Sequence, residues 1–382
     1  MATRCARHCR ACDRHEAIRL LGMAGQTGVV VTLDGEILEP ETPLLRADDL
    51  AAVRGDGVFE TLLVRDGAAC LVEPHLHRLT HSARLMDLPE PDLAGWRHAI
   101  DLATQRWVAG TGDEGAMRLI YSRGRESGPP QAAGAPAAPT AYVMVNPVPE
   151  RVAEVRRSGV AAITLDRGLP AAGADTMPWL MAGAKTLSYA VNMAALRHAA
   201  RQGAGDVIFV STDGYILEGP RSTVIIATDD DGMASGKPCL LTPPPWYPIL
   251  RGTTQQALFH VARANGYDCD YRALRVSDLV AAQGVWLVSS MTLAARVHTL
   301  NGRRLPPPRS PPHSPNWSMR PSSATAEGAN SVVGSSKCGY GQPYTGKEVV
   351  REIDSFLADH LKPHFTGGIF SPAPASPRRP RD

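Results

Sequence analysis

The chain has 382 residues, a net charge of +2 and 43% hydrophobic residues. That length can bury a large core and suits two domains with added segments. The near-zero charge balance asks for neither nucleic acid nor an anionic membrane, and no apolar run approaches the roughly 20 residues that span a bilayer, so a soluble protein is expected.

Residues 1–28 are rich in Arg, Cys and His without a sustained apolar period, and read as a poorly ordered extension lacking the apolar core of a secretory signal. Cys5, Cys9 and Cys12 have a CxxxCxxC spacing that can hold an iron–sulfur cluster, but no strand frames it, and no metal is expected. The seven cysteines read as reduced thiols of a cytoplasmic protein.

Val29–Leu33, the turn Asp34-Gly35 and Glu36–Leu38 predict a first hairpin. Val58–Val64 predicts a strand that Asp66-Gly67 turns back into Ala68–Val72. Leu76, Leu79, Ala83 and Met86 recur at helical spacing over 75–86, and a second helix is expected over about 92–108. Strands follow at 116–124 and 142–145, separated by a Gly/Pro/Ala/Ser loop at 127–139, and Asn146-Pro147-Val148-Pro149 marks a domain junction.

The second unit opens on Leu180–Ala190, with Lys185 among small and apolar residues ahead of a helix that runs to about Gln202 and stops at Gly203. Poor hydration lowers a lysine's pKa and makes it a nucleophile, although the window alone also reads as a surface lysine near a helix start. Val207–Ser211 and Ile216–Glu218 form a hairpin signal through the turn Thr212-Asp213-Gly214-Tyr215, and its second arm delivers Glu218. Thr223–Ala227 continues as a strand, and Asp229–Gly232 reads as a solvated turn without calcium-loop spacing. Gly252-Thr253-Thr254 opens a helix to about Ala264, Val285–Val288 is a buried-type strand, and Val297–Gly302 is a last strand and turn. From Pro306 the composition turns Pro/Ser-rich, with one amphipathic helix expected at 348–361 and a basic tip.

Several of these features suit a pyridoxal phosphate site. A carboxylate such as Glu218 can hold a pyridine nitrogen protonated, and Gly252-Thr253-Thr254 at a helix start offers N–H donors and a positive dipole end to a phosphate. Arg78 can clamp a phosphate with its planar fork. Each feature has a bland alternative: an edge carboxylate, a helix cap, a solvated arginine.

Gly55–Thr61, His75–Leu79 with Ser82-Ala83, Ser122-Arg123-Gly124, Lys185–Tyr189, Leu217-Glu218-Gly219 and Gly252-Thr253-Thr254, in this order, resemble the signature of the class-IV, fold-type IV pyridoxal-phosphate enzymes. That family holds branched-chain aminotransferases, D-amino-acid transaminases and aminodeoxychorismate lyases, and the likeness, closest to proteins of actinobacterial type, covers 29–305.

The resemblance implies an α+β fold: a small N-terminal α/β sandwich domain (29–147) and a larger β-barrel-like domain with helices (148–305), flanked by 1–28 and the tail 306–382. The cofactor, pyridoxal 5′-phosphate, is expected at their interface, and a homodimer is expected. It further implies Lys185 as the Schiff-base lysine and proton shuttle, Glu218 at the pyridine nitrogen, Arg78, Thr253 and Thr254 on the phosphate with Thr292 as a further contact, and Tyr189 near the ring hydroxyl. Arg123 is the candidate for a substrate carboxylate. Phe59 stands where D-amino-acid transaminases often carry a carboxylate-binding tyrosine, and Thr61 matches a threonine that lyases use near the leaving group. Thr223, in place of a usual asparagine, and Pro220-Arg221 depart from the family pattern. The reading is an aminodeoxychorismate lyase forming 4-aminobenzoate and pyruvate, with a transaminase of D- or branched-chain amino acids, or a catalytically degenerate cofactor-binding protein, as alternatives.

Overall fold

The computed structural model describes residues 28–307, apart from 112, 127–137, 174–175, 229–238 and 265–266. The cysteine trio, the acidic turn at 229–232, most of the loop at 127–139 and the tail with its expected helix lie outside those residues.

β1 (Val29–Thr32) and β2 (Ile37–Leu38) form the expected hairpin, with Gly35 at φ 91° in its turn. A short helix, α1 (Leu50–Val53), starts where the Asp49 carboxylate accepts the Ala51 amide at 2.8 Å. β3 (Gly57–Arg65) and β4 (Ala68–Ala69) meet across Asp66-Gly67. The strand expected over 68–72 is shorter, because Leu71 takes a left-handed φ of 54° and turns the chain into α2 (Val72–Leu85). Val72 then packs on the core as a helical residue, so tertiary contact overrides its β preference.

α3 (Leu93–Gly110), β5 (Gly115–Ser122) and β6 (Thr140–Pro147) complete an antiparallel sheet of order β2-β1-β6-β5-β3-β4. Leu62, Val64, Met117, Leu119, Val143 and Val145 from its strands pack with Leu76, Leu79, Trp96, Ile100 and Trp107 from α2 and α3. One sheet face is thus covered by two helices.

The rest of the described chain builds a second, mixed sheet. α4 (Glu150–Ser158), β7 (Val160–Asp166), α5 (Ala190–Arg201) and β8 (Asp206–Val210) lead to β9 (Thr223–Thr228) and β10 (Cys239–Thr242). α6 (Thr253–Ala264), β11 (Asp268–Tyr271), α7 (Val276–Ala281), β12 (Gly284–Ser289), β13 (Leu293–Leu300) and β14 (Arg303–Arg304) follow. The order is β11-β10-β9-β12-β13-β7-β8, with β14 on β13.

Its strands are apolar on both faces. Val224 and Ile226 of β9 and Val285 and Leu287 of β12 join an inner cluster with Ile208 and Val297, whereas Ile225, Trp286 and Val288 face Leu258 and Phe259 of α6. Val207 and Phe209 face Ala195 and Ala199 of α5. Period-two alternation between two buried faces explains the unbroken apolar runs of the sequence.

The second arm of the predicted hairpin, at 216–218, is not a regular strand. Ser211 and Phe209 N–H groups bond the Tyr215 and Glu218 carbonyls, while the Ile216 N–H donates to the Leu274 carbonyl at 2.7 Å. The arm divides its hydrogen bonds between β8 and the segment after β11, which links the two ends of the sheet and gives the barrel-like form. Past α5, Gly203 (φ 75°) sends its N–H to Ala200 and Ala204 sends its own to Ala199, a complete Schellman stop where the glycine had been expected to end the helix.

Candidate active site

Lys185 sits in an extended loop and not at a helix start, five residues ahead of α5. The loop pairs with the first residues of β3: Phe59 N–H donates to the Lys185 carbonyl at 3.0 Å and Leu187 N–H to the Gly57 carbonyl at 2.8 Å. Lys185 N–H also reaches Ser82 Oγ at 3.0 Å on α2. A strand and a helix of the first sheet thereby hold the backbone of a lysine that belongs to the second half of the chain.

The lysine ammonium lies 4.4 Å from the centroid of Phe59 and 5.8 Å from that of Tyr189, whose rings meet edge to face. Burial, reinforced by the Arg78 charge, brings its pKa down to about 8, against the opposing pull of Glu60 and Glu218. Glu218 leaves the hairpin arm and accepts the Leu250 N–H at 3.0 Å on Oε2. Burial pushes its carboxyl up to about 7, with that hydrogen bond and the Lys185, Arg167 and Arg78 charges working against the rise. An amine and a carboxyl are therefore both poised within reach of neutral pH.

A different constellation stands behind them. Glu60 is fully buried on β3 and receives Arg78 Nε at 2.8 Å and Nη2 at 2.7 Å, a two-pronged pair. His75, also fully buried, places Nδ1 2.7 Å from the same carboxylate. Its Nε2 lies 3.3 Å from both the Thr253 and Ser290 hydroxyls. Despite its burial, Glu60 is held well below the usual carboxylate range by Arg78 and His75, whereas burial lowers the His75 pKa. The third Arg78 nitrogen, Nη1, donates to the Arg251 carbonyl at 2.9 Å, beside the start of α6.

Thr253 and Thr254 open α6 and are both buried. First-turn N–H groups have no partner within their own helix, so this end offers donors and positive potential to an anion. Gly252 is required here: a Cβ would lie 2.3 Å from Thr223 Oγ1, so the unusual threonine is packed directly under the turn. This donor set fits a phosphate, and the amine and carboxyl fit the reactive carbon and ring nitrogen of a pyridoxal cofactor.

The remaining expected residues divide. Thr61 shares the β3 face of Phe59 by strand alternation, so it lies on the lysine side. The Tyr189 hydroxyl donates to the Pro220 carbonyl, which Asn192 also caps at 2.7 Å, and burial lifts its pKa to about 12. Thr292 closes its own turn, with Oγ1 2.7 Å from Ser289 Oγ, and Ser290 is the residue of that turn that reaches His75. Arg123 is engaged by Asp56 through Nε at 2.7 Å and by the Met86 and Asp87 carbonyls. It lines a cavity of about 500 Å³ with Arg54, Leu85, Trp179 and Ser188, which adjoins the lysine loop.

Sequence reasoning passed over Glu60, His75, Ser82 and Ser290 as site members. The available signal was an acidic residue inside an apolar strand, facing a helix that presents His75 and Arg78 three residues apart.

The amino-transferase class IV family model matches residues 57–300. A Mycobacterium tuberculosis protein named bifunctional aminodeoxychorismate lyase / D-amino acid transaminase is 80% identical over 278 residues, 73% of this chain and 93% of that one. A Bacillus licheniformis D-alanine aminotransferase is 25% identical, covering 72% of this chain and 89% of its own. Among solved structures, a hypothetical aminotransferase from M. tuberculosis in its PLP-bound form is 78% identical with a TM-score of 0.68 over 73% of this chain and 93% of its own. A fold IV transaminase from Curtobacterium pusillum is 42% identical with a TM-score of 0.65, over 73% and 92%.

Proposed function

The chain belongs to the class-IV aminotransferases, and from that premise we propose that it converts 4-amino-4-deoxychorismate to 4-aminobenzoate and pyruvate. The cofactor is pyridoxal 5′-phosphate. The observation that carries the reading is that half-buried Lys185 and Glu218 are both drawn toward neutrality and stand with the open N-terminal turn of α6.

When bound, the cofactor supplies a conjugated electron sink for the substrate's bonds. Lys185 anchors it and moves the proton of the substrate's ring carbon, helped by an amine whose pKa is already near neutrality. Glu218 holds a proton at the ring nitrogen. Thr253, Thr254 and the Ser289–Thr292 turn bind the phosphate, and Arg78 adds its charge while staying locked to Glu60. Phe59 and Tyr189 wall the lysine and exclude water. The Thr61 hydroxyl is assigned as proton donor to the departing pyruvate.

A second activity, amino-group exchange between a D-amino acid and a 2-oxo acid, is favoured by the bifunctional name of the 80% identical relative. Lys185 then moves the amino acid's α-proton. Purified protein is expected to release 4-aminobenzoate and pyruvate from aminodeoxychorismate without any 2-oxo acid; no product overturns the lyase reading. D-alanine with 2-oxoglutarate tests the second.

We also take residues 29–147 and 148–305 as two domains with the cofactor between them, and the enzyme as a cytoplasmic homodimer. Exposed Trp179, Leu180, Val191 and Met193 support self-association. No helix among the described residues is long and apolar enough to cross a membrane.

A further inference from the structure

His75 lies among groups that force its tautomer. An ionised carboxylate only accepts, so the 2.7 Å contact with Glu60 requires a proton on Nδ1. Nε2 then faces two hydroxyls, Thr253 and Ser290, each at 3.3 Å. A neutral imidazole has a single in-plane lone pair there. It accepts from one hydroxyl at a time, and that hydroxyl's hydrogen turns away from the first turn of α6. With a proton on Nε2 the ring donates to both oxygens instead, and both hydroxyl hydrogens are free to point at an anion in that turn. An anion at the start of α6 and a proton on His75 therefore stabilise one another, and such coupling is reciprocal.

We propose that His75, aligned by Glu60, is a positioning residue of the phosphate cradle that takes up a proton as the phosphate enters and thereby turns the Thr253 and Ser290 hydroxyls toward it. The inference rests on the reading that α6 and the Ser289–Thr292 turn bind the cofactor's phosphate. The charged groups facing His75 are Glu60 from β3, which favours the proton, and Arg78 from its own helix and Lys185 from the loop, which oppose it. Thr253 from α6 and Ser290 from the β12–β13 turn are uncharged. Burial keeps the ring neutral until a phosphate supplies compensating charge.

The test is calorimetric titration of the full chain, stripped of cofactor, with pyridoxal phosphate and with pyridoxal at pH 7.5, above the second phosphate pKa of about 6. Heats in two buffers of different ionisation enthalpy give the protons taken up. Proton changes that belong to the Lys185 linkage are common to both ligands and cancel in the comparison. Greater uptake with pyridoxal phosphate than with pyridoxal is expected, by a fraction approaching one proton. His75→Asn, which keeps a donor toward Glu60 and removes Nε2, should lose that excess and reduce the affinity ratio of the two ligands about tenfold, as for one hydrogen bond to a charged group. Equal uptake for the two ligands in the unmodified protein overturns the proposal, and so does an excess that survives in His75→Asn. Should His75→Asn fail to fold, Ser290→Ala reads the same ratio: it should fall, and an unchanged ratio also overturns the proposal. An unmodified protein that binds both ligands equally tightly sinks the phosphate-site reading itself, a separately recognisable result.

Discussion

The two ends of the site are built on opposite electrostatic plans. Around Glu60, His75 and Arg78 every charge has a hydrogen-bonded opposite, and the carboxylate stays ionised although fully buried. Around Lys185 and Glu218 burial outweighs the compensating charges, and both groups move toward neutrality, to about 8 and about 7. Saturated pairing holds shape, whereas incomplete pairing leaves protons free to move. On the proposed reading, the first end grips and the second reacts.

Lys185→Ala strikes the reactive end hardest. Turnover with either substrate should fall roughly 10⁴-fold or more, with loss of the visible absorbance of the linked cofactor. Retained turnover would place the chemistry elsewhere. Glu218→Gln should keep the cofactor and lower kcat by roughly 10²-fold or more, and an unchanged kcat would remove Glu218 from the ring nitrogen.

Glu60→Gln tests the gripping end through stability. It leaves Arg78 and His75 without their carboxylate and should cost about 3 kcal/mol in chemical unfolding. The two ends also carry opposite pH signatures. Glu60 titrates below its ordinary value of 4.5 in the folded chain, so its stabilisation is present above pH 4.5 and is lost as pH falls further. Glu218 titrates above the same ordinary value, so the cofactor-free protein should lose stability as pH rises from 4.5 through about 7, while Lys185 returns stability between about 8 and 10.5. Unfolding midpoints across pH should lose the acid limb in Glu60→Gln and the neutral limb in Glu218→Gln. If both substitutions flattened the same limb, the contrast between the ends would collapse.

The Lys185–Glu218 end is largely legible in the sequence, whereas of the other end only Arg78 is. Lys185, Glu218 and Thr253 each announce themselves locally, by a small apolar window, a hairpin exit and a glycine-led helix start. Glu60 becomes informative only beside His75 and Arg78, which lie 15 and 18 residues away on another element, so its role emerges from sheet–helix packing. The fold divides similarly. β9 and β12 were readable because both faces are apolar, whereas Val160–Asp166 owes its strand to parallel pairing with β8 and β13, distant in the chain. The resemblance points to Thr292, while Ser290 is the hydroxyl of that turn that meets His75, a distinction that spacing alone does not draw.

Arg123 belongs to neither end, and it supplies the smallest expected effect. Two of its nitrogens lie on Asp56 and two carbonyls close the fork, although the side chain is 37% exposed beside the cavity. A guanidinium so engaged has little left to offer a substrate carboxylate. Arg123→Lys keeps the charge and loses the planar fork, so it should lower unfolding stability by about 1 kcal/mol and leave KM for D-alanine and for aminodeoxychorismate unchanged. A raised KM with unaltered stability would mean that Asp56 releases the arginine when substrate arrives, and would extend the reactive end to the cavity wall.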